Sequence, residues 1–139
     1  MEINIAETEQ KEITSFFYRI LIPRPIAWVS TRSKTGIDNL APFSFYGGVA
    51  ANPPIVSLGI GRRAGKHKDT SQNLLDTKEC VINLTSVELS EKMVKTSAEL
   101  PPEVDEFEIA GLEKTNSIDV KPSRLKDAKV ALEGKLYRH

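Results

Sequence analysis

Ile26-Ala27-Trp28-Val29-Ser30-Thr31-Arg32, then Lys34-Thr35-Gly36-Ile37-Asp38, then Asn39-Leu40-Ala41-Pro42-Phe43-Ser44-Phe45 is the stretch that decides the class of fold. In its first part Ile26, Trp28 and Ser30 alternate with Ala27, Val29 and Thr31, a period of two that places successive side chains on opposite faces of a strand. The small and polar residues from Lys34 to Asp38 suit a turn. From Asn39 to Val49 the chain reads as extended and aromatic, with Pro42 at an edge or bulge because it has no N–H to give to a ladder. A β-hairpin is expected.

Working outward, Pro53-Pro54 forces an extended entry into a strand from Ile55 to Gly61. There Val56, Leu58 and Ile60 fill one face, and Ser57, Gly59 and Gly61 leave the other almost bare. The basic loop Arg62 to Lys68 leads to Asp69-Thr70-Ser71-Gln72, read as a helix start with Asp69 as cap and Gln72 as its reciprocal partner. Cys80 to Thr85 reads as a strand. Ser86 is then expected to cap a second helix carrying Leu89, Met93 and Val94. The polar segment from Glu99 to Lys121 reads as a surface excursion with little regular structure, a lid or a dimer arm. A last strand runs from Val130 to Tyr137, and its free edge calls for a cover. Residues before the hairpin read only as a polar start.

Composition limits the function. The 139 residues suit a single domain over residues 1–139, and 40% hydrophobic with 27% charged residues is ordinary for a globular chain. Lys and Arg balance Asp and Glu at 19 each, so no general attraction draws the chain to nucleic acid or anionic lipid. A lone Cys80 and two histidines make metal chemistry improbable, and Cys80 suits packing better than reaction. The start Met1-Glu2-Ile3-Asn4-Ile5-Ala6-Glu7 lacks the basic residues of a signal peptide, and no apolar run approaches the ~20 residues of a membrane span; a cytoplasmic location is expected.

One group of residues converges on anion binding. Ser30 and Thr31 end the first strand, Arg62, Arg63, Lys66 and Lys68 lie in the basic loop, and Thr70 falls in the first helical turn beyond it. A helix N-terminus with hydroxyls and cations beside it favours a phosphate monoester. The ordinary alternative, a solvated basic loop and a simple cap, stands at even weight on spacing alone. Gly59-Ile60-Gly61-Arg62-Arg63-Ala64 matches a dinucleotide fingerprint with Glu79 as its ribose acid, but that motif must open a helix at once, and Gly65-Lys66-His67-Lys68 intervenes. Gly65-Lys66-His67 also lacks the Ser or Thr of a P-loop.

Arg24-Pro25-Ile26-Ala27-Trp28-Val29-Ser30-Thr31, Asn39-Leu40-Ala41-Pro42-Phe43-Ser44-Phe45, Lys68-Asp69-Thr70 with Asn73, and Asp105-Glu106-Phe107-Glu108-Ile109-Ala110-Gly111-Leu112, in that order, resemble the flavin-reductase-like family. The resemblance runs from about Tyr18 onward. It implies a mainly β fold with short helices, an FMN-binding split barrel whose last strands are missing after Leu132-Glu133-Gly134-Lys135-Leu136. It implies a homodimer that holds FMN near the subunit interface. It also implies hydride transfer from NAD(P)H to flavin, with a partner oxygenase or redox protein as acceptor. Carried over by position, Ser30, Thr31, Arg62, Lys68 and Thr70 hold the phosphate and ribityl end, and Asn39, Ala41, Pro42, Ser44 and Phe45 border the ring. No side chain is expected to act as catalytic acid or base. Two competing readings are a non-enzymatic FMN electron carrier and a cofactor-free barrel used for binding or assembly.

Overall fold

The computed structural model describes residues 2–139; Met1, the first residue of the acidic start, lies outside them. Its elements in order are α1 (Gln10–Ile20), β1 (Ala27–Arg32), β2 (Asp38–Phe43), β3 (Tyr46–Ala51), β4 (Pro54–Leu58), α2 (Asp69–Thr77), β5 (Glu79–Leu84), a 3₁₀ turn (Val87–Leu89), α3 (Ser90–Lys95), α4 (Glu106–Ile109), β6 (Lys114–Thr115), β7 (Arg124–Leu125) and β8 (Val130–Lys135). The hairpin reading holds: β1 and β2 are antiparallel from Ala27↔Phe43 to Arg32↔Asp38, joined by a turn in which the Ser33 amide donates to Ile37 O. A four-stranded sheet follows, ordered β2-β1-β5-β8, and Pro42 lies in its edge strand as expected.

Both faces of this sheet are covered, so β1 is buried almost throughout. On one face Trp28 and Leu40 pack with Met93, Phe107, Ala110, Leu112 and Leu125; on the other Ala27, Val29, Phe43 and Ile82 pack with Tyr46, Leu58 and Ile60. The alternation of β1 thus feeds two cores, because each strand residue sends its side chain opposite to its neighbour's. Trp28 is anchored further by its indole N–H, which donates to Thr96 Oγ1 at 2.9 Å.

Four expectations are corrected. The extended run from Asn39 to Val49 breaks at Ser44-Phe45, so that β2 stays in the main sheet and β3 pairs with β4 as a separate ribbon. Residues 99–121 are not a surface excursion: α4 and the β6–β7 pair close one face of the sheet, with Phe107 fully buried. Counting charges there hid Phe107, Ala110 and Leu112, which share the buried side. Helix α2 starts with Lys68 as its N-cap, and Asp69 is the first helical residue with no capping bond; Gln72 instead donates to Asp76 Oδ2 at 3.1 Å. The polar start contains α1, whose Ile13, Phe16, Phe17 and Ile20 repeat at helical spacing, although none of its residues is buried. At the far side, β8 is an edge with Val130 and Leu132 exposed.

Candidate functional site

Two depressions flank the end of β2. The smaller, about 90 Å³, is lined by Asn39, Ala41, Pro42 and Phe43 from β2, by Lys68, Asp69 and Thr70 at the start of α2, by Thr96 to Ala98 and Leu100, and by Arg63 and Glu106. The larger, about 680 Å³, lies around the corner between the end of α1 and the β3–β4 ribbon, and takes in Ser44 and Phe45.

The small pocket rests on a buried polar network. Thr31 and Asn39 are register partners in β1 and β2, so their side chains share a face, and α2 packs over that face. Asn39 Oδ1 accepts from Thr70 Oγ1 at 2.7 Å and from Thr31 Oγ1 at 3.3 Å, and Asn73 Nδ2 donates to Thr31 Oγ1 at 3.2 Å. The other end of the Asn39 amide donates to Glu106 Oε1 at 2.9 Å, and the Leu40 amide donates to Glu106 Oε2 at 3.0 Å. Burial pushes the Glu106 carboxyl up from its ordinary value against the opposing pull of the Leu40 and Asn39 donors. Every member of the network finds a partner, as buried polar groups must.

At the mouth, Lys68 Nζ lies 5.7 Å from the centroid of the Phe43 ring. Among the described residues no carboxylate pairs with it, whereas Arg63 is tied to Glu99 at 2.8 Å. With lysine rather than Ser or Asp as N-cap, no side chain caps α2; its first helical bond runs from the Gln72 amide to Lys68 O, which leaves the amides of Asp69, Thr70 and Ser71 without helical acceptors. An anion-sized position beside Lys68 therefore meets a cation and helix-end amides, with the Thr70 hydroxyl next to it giving its proton to Asn39 Oδ1.

Six residues named from sequence, Asn39, Ala41, Pro42, Arg63, Lys68 and Thr70, meet at this pocket, and Thr31 stands behind them in the network. The others separate. Ser30 projects from the opposite face of the sheet, where its hydroxyl donates to Ser123 O and accepts from Asn83 Nδ2. The pairing of Ser30 with Thr31 in one side-chain site is therefore corrected, since adjacent strand residues point apart. Arg62 is exposed and donates to Gly65 O at 3.3 Å, outside both depressions. Gly59, on the face that the sequence leaves almost bare, is accounted for by packing: a Cβ there would stand 2.8 Å from Phe45 Cβ. Helix α2 opens only at Asp69, ten residues beyond Gly59, which agrees with rejecting the dinucleotide fingerprint.

Glu106 lies in a motif quoted for the resemblance but has no role of its own there, because one acid in a polar stretch carries no separate signal. Asn73, quoted with Lys68-Asp69-Thr70, falls three residues after Thr70 on the same helical face, and the structure gives it its place in the network. Cys80 packs against Gly134, and burial raises its thiol to about 11, which leaves it protonated at neutral pH. Among the described residues no group of three or more His, Cys, Asp or Glu is placed to hold a metal ion, and no helix is long and apolar enough to cross a membrane.

Residues 17–139 match the model of the flavin reductase like domain. The chain belongs to the flavin reductase-like family. An uncharacterized protein of Aquifex aeolicus is 47% identical over 140 residues, covering all of this flavin reductase-like chain and 71% of the relative. YwrF, an uncharacterized protein of Bacillus subtilis, is 39% identical over 119 residues, 86% of this chain and 58% of its own length, so the chain spans little more than half of that relative. Nitrilotriacetate monooxygenase component B from Bacillus cereus superposes with a TM-score of 0.95 at 35% identity, covering 99% of this chain and 68% of that one. A protein with a split barrel domain from Shewanella frigidimarina superposes with a TM-score of 0.82 at 22% identity over all of this chain and 70% of that one. The fold is thus a split-barrel fold, mainly β with short helices, and its sheet is not closed within this flavin reductase-like chain. Family membership supports a flavin-related redox role.

Proposed function

We propose that this flavin reductase-like chain binds FMN and serves the transfer of hydride from NAD(P)H to it. The observation that carries this reading is the uncapped start of α2, where Lys68, Thr70 and the first-turn amides converge on one small pocket. The pocket fits the phosphate end of the cofactor and not the whole, since cofactor sites usually enclose ~300 Å³ or more. Lys68 and Thr70 hold the phosphate; Thr31 and Asn73 fix the network beneath it. Asn39 and Ala41 follow the ribityl chain, with Pro42 beneath the ring. Ser44 and Phe45 border the ring only where it extends past Pro42. Ser30 has no side-chain part in this arrangement, and Arg62 acts at most as a peripheral charge. Bound flavin would supply the hydride acceptor, and the chain's own residues bind and orient it, with no side chain assigned as a catalytic acid or base. The reading includes a homodimer with the cofactor near its interface and an oxygenase or redox protein as acceptor of the electrons.

An absorbance titration with FMN, followed by anaerobic addition of NADH or NADPH, tests it. Flavin bands that shift on binding and bleach with nicotinamide are expected, with affinity reduced ten- to a hundredfold in Lys68→Ala. Bound flavin that nicotinamide fails to reduce would leave an electron carrier, and absence of FMN binding would end the reading for this chain.

A further inference from the structure

A buried acid lines the pocket that the flavin reading gives to a phosphate, and that reading does not use it. Glu106 opens α4 and is 5% exposed, while Phe107 beside it is anchored in the core on the far face of the sheet. From there its carboxylate reaches the edge strand β2, where Oε2 accepts from the Leu40 amide and Oε1 from the Asn39 side chain. An edge amide and a buried side-chain amide both need acceptors. Two donors facing two oxygens call for a carboxyl group, since a glutamine would set its own NH₂ against one of them. They do not call for a charge. A protonated carboxyl keeps both accepted bonds and has an O–H left to give.

No lysine or arginine among the described residues forms an ion pair with Glu106. The charged groups around it are mostly engaged elsewhere. Asp105, the residue before it, is tied to Lys114, and Asp38 on β2 is tied to Arg32 and Ser123 on the opposite face. Across the pocket stand Lys68 and Asp69 at the start of α2, and Arg63, which is tied to Glu99. Burial pushes the Glu106 carboxyl up from its ordinary value, and the Asp105 charge adds to this. A pocket of about 90 Å³ is roughly 6 Å across, within the ~4–6 Å over which one negative charge opposes the ionisation of another. A phosphate dianion drawn in by Lys68 and the α2 amides therefore raises the proton affinity of Glu106. The acid so formed presents an O–H to the phosphate oxygens.

We propose that Glu106 binds the phosphate in its protonated form, taking one proton from solvent as the phosphomonoester enters, so that ligand binding at this pocket is coupled to proton uptake. The ligand is that of the flavin reading, on which the proposal rests. One dianion, one carboxylate and one proton give one complex, in which the carboxylic acid donates to a phosphate oxygen and still accepts from Leu40 and Asn39. Wherever the free protein holds Glu106 ionised, affinity then falls by up to about tenfold for each unit of rising pH.

Calorimetric titrations of the flavin-free protein with FMN, run from pH 7 to 9 in buffers of different ionisation enthalpy, count the protons taken up. A phosphate monoester loses its second proton near pH ~6, so the ligand enters as a dianion throughout this range. Uptake should rise with pH toward one proton per FMN. Riboflavin, which lacks the phosphate, should bring no uptake, and this comparison needs no variant to fold. In Glu106→Gln the uptake should vanish and FMN affinity should become flat from pH 7 to 9. The infrared difference spectrum of the parent with FMN should show a protonated carboxyl that the variant lacks, a signal that a merely structural Glu106 would not produce. FMN binding without uptake, equal uptake with riboflavin, or uptake that survives in Glu106→Gln overturns the proposal and leaves the flavin reading standing. Absence of FMN binding ends the flavin reading and this proposal with it, so the two failures are distinguishable.

Discussion

Replacing Thr70 by valine removes one hydroxyl and almost no volume. That hydroxyl is 2% exposed as part of its residue and donates at 2.7 Å to Asn39 Oδ1, whose remaining donor, Thr31, stands at a longer 3.3 Å. The variant leaves a buried acceptor short of its better partner, a loss of about 2 kcal/mol within the usual 1–3 range. With a urea dependence of about 2 kcal/mol/M for a chain of this size, the unfolding midpoint should fall by about 1 M. At roughly 3 °C per kcal/mol the melting temperature should fall by about 6 °C. Thr70→Ser keeps the donor and loses a methyl group, so it should cost only about 0.8 kcal/mol. The FMN reading adds a second expectation, since on that reading the hydroxyl turns its proton from Asn39 Oδ1 to the phosphate: affinity should drop ten- to a hundredfold in the valine variant and little in serine. Urea melts of the three proteins with and without FMN provide the assay. A valine variant as stable as the parent would refute the account of the network. One that is destabilised but binds FMN equally well would refute the placement of the phosphate.

Glu106→Gln reports on the raised carboxyl. An acid whose folded value exceeds its unfolded one contributes stability that is present below the unfolded value, about 4.5, and lost as pH rises through the folded value. Urea melts across pH 4 to 8 should therefore show the parent losing stability relative to Glu106→Gln as pH rises; a constant difference would mean that burial does not perturb this group. Gly59→Ala should destabilise by about 1–3 kcal/mol because its Cβ would meet Phe45 Cβ at 2.8 Å, and Gly47→Ala, which meets nothing within 4 Å, should be within about 0.5 kcal/mol of the parent by thermal melting. Trp28→Phe loses buried volume and leaves Thr96 Oγ1 without its indole donor, so a loss of about 2 kcal/mol or more is expected in a denaturant melt, together with a weakened near-ultraviolet signal.

Local pattern determined a good part of this protein. The alternation from Ile26 to Arg32, the turn at Lys34 to Asp38 and the proline at an edge position follow from backbone sterics and side-chain period, which act within a few residues, and the hairpin stands where they place it. Lys68 and Thr70 line one pocket with Asn39, Ala41 and Pro42, a grouping that the resemblance of the ordered motifs to a family implies and local pattern does not. Tertiary structure decided the rest. Ser30 and Thr31 are neighbours in sequence and equal in chemistry, yet only the packing of α2 on one face and the Ser123 segment on the other determines that Thr31 joins the pocket network and Ser30 does not. Glu106 enters the pocket from 67 residues beyond Asn39, a separation across which no periodicity speaks. The stretch around it looked solvated because charge is counted along the chain, whereas burial is settled by which side faces the sheet. A cation in the larger depression is likewise a product of assembly: Tyr18, Arg24 and Phe45 form one stack only after the chain turns at Ser44, and nothing in their local sequence requires it.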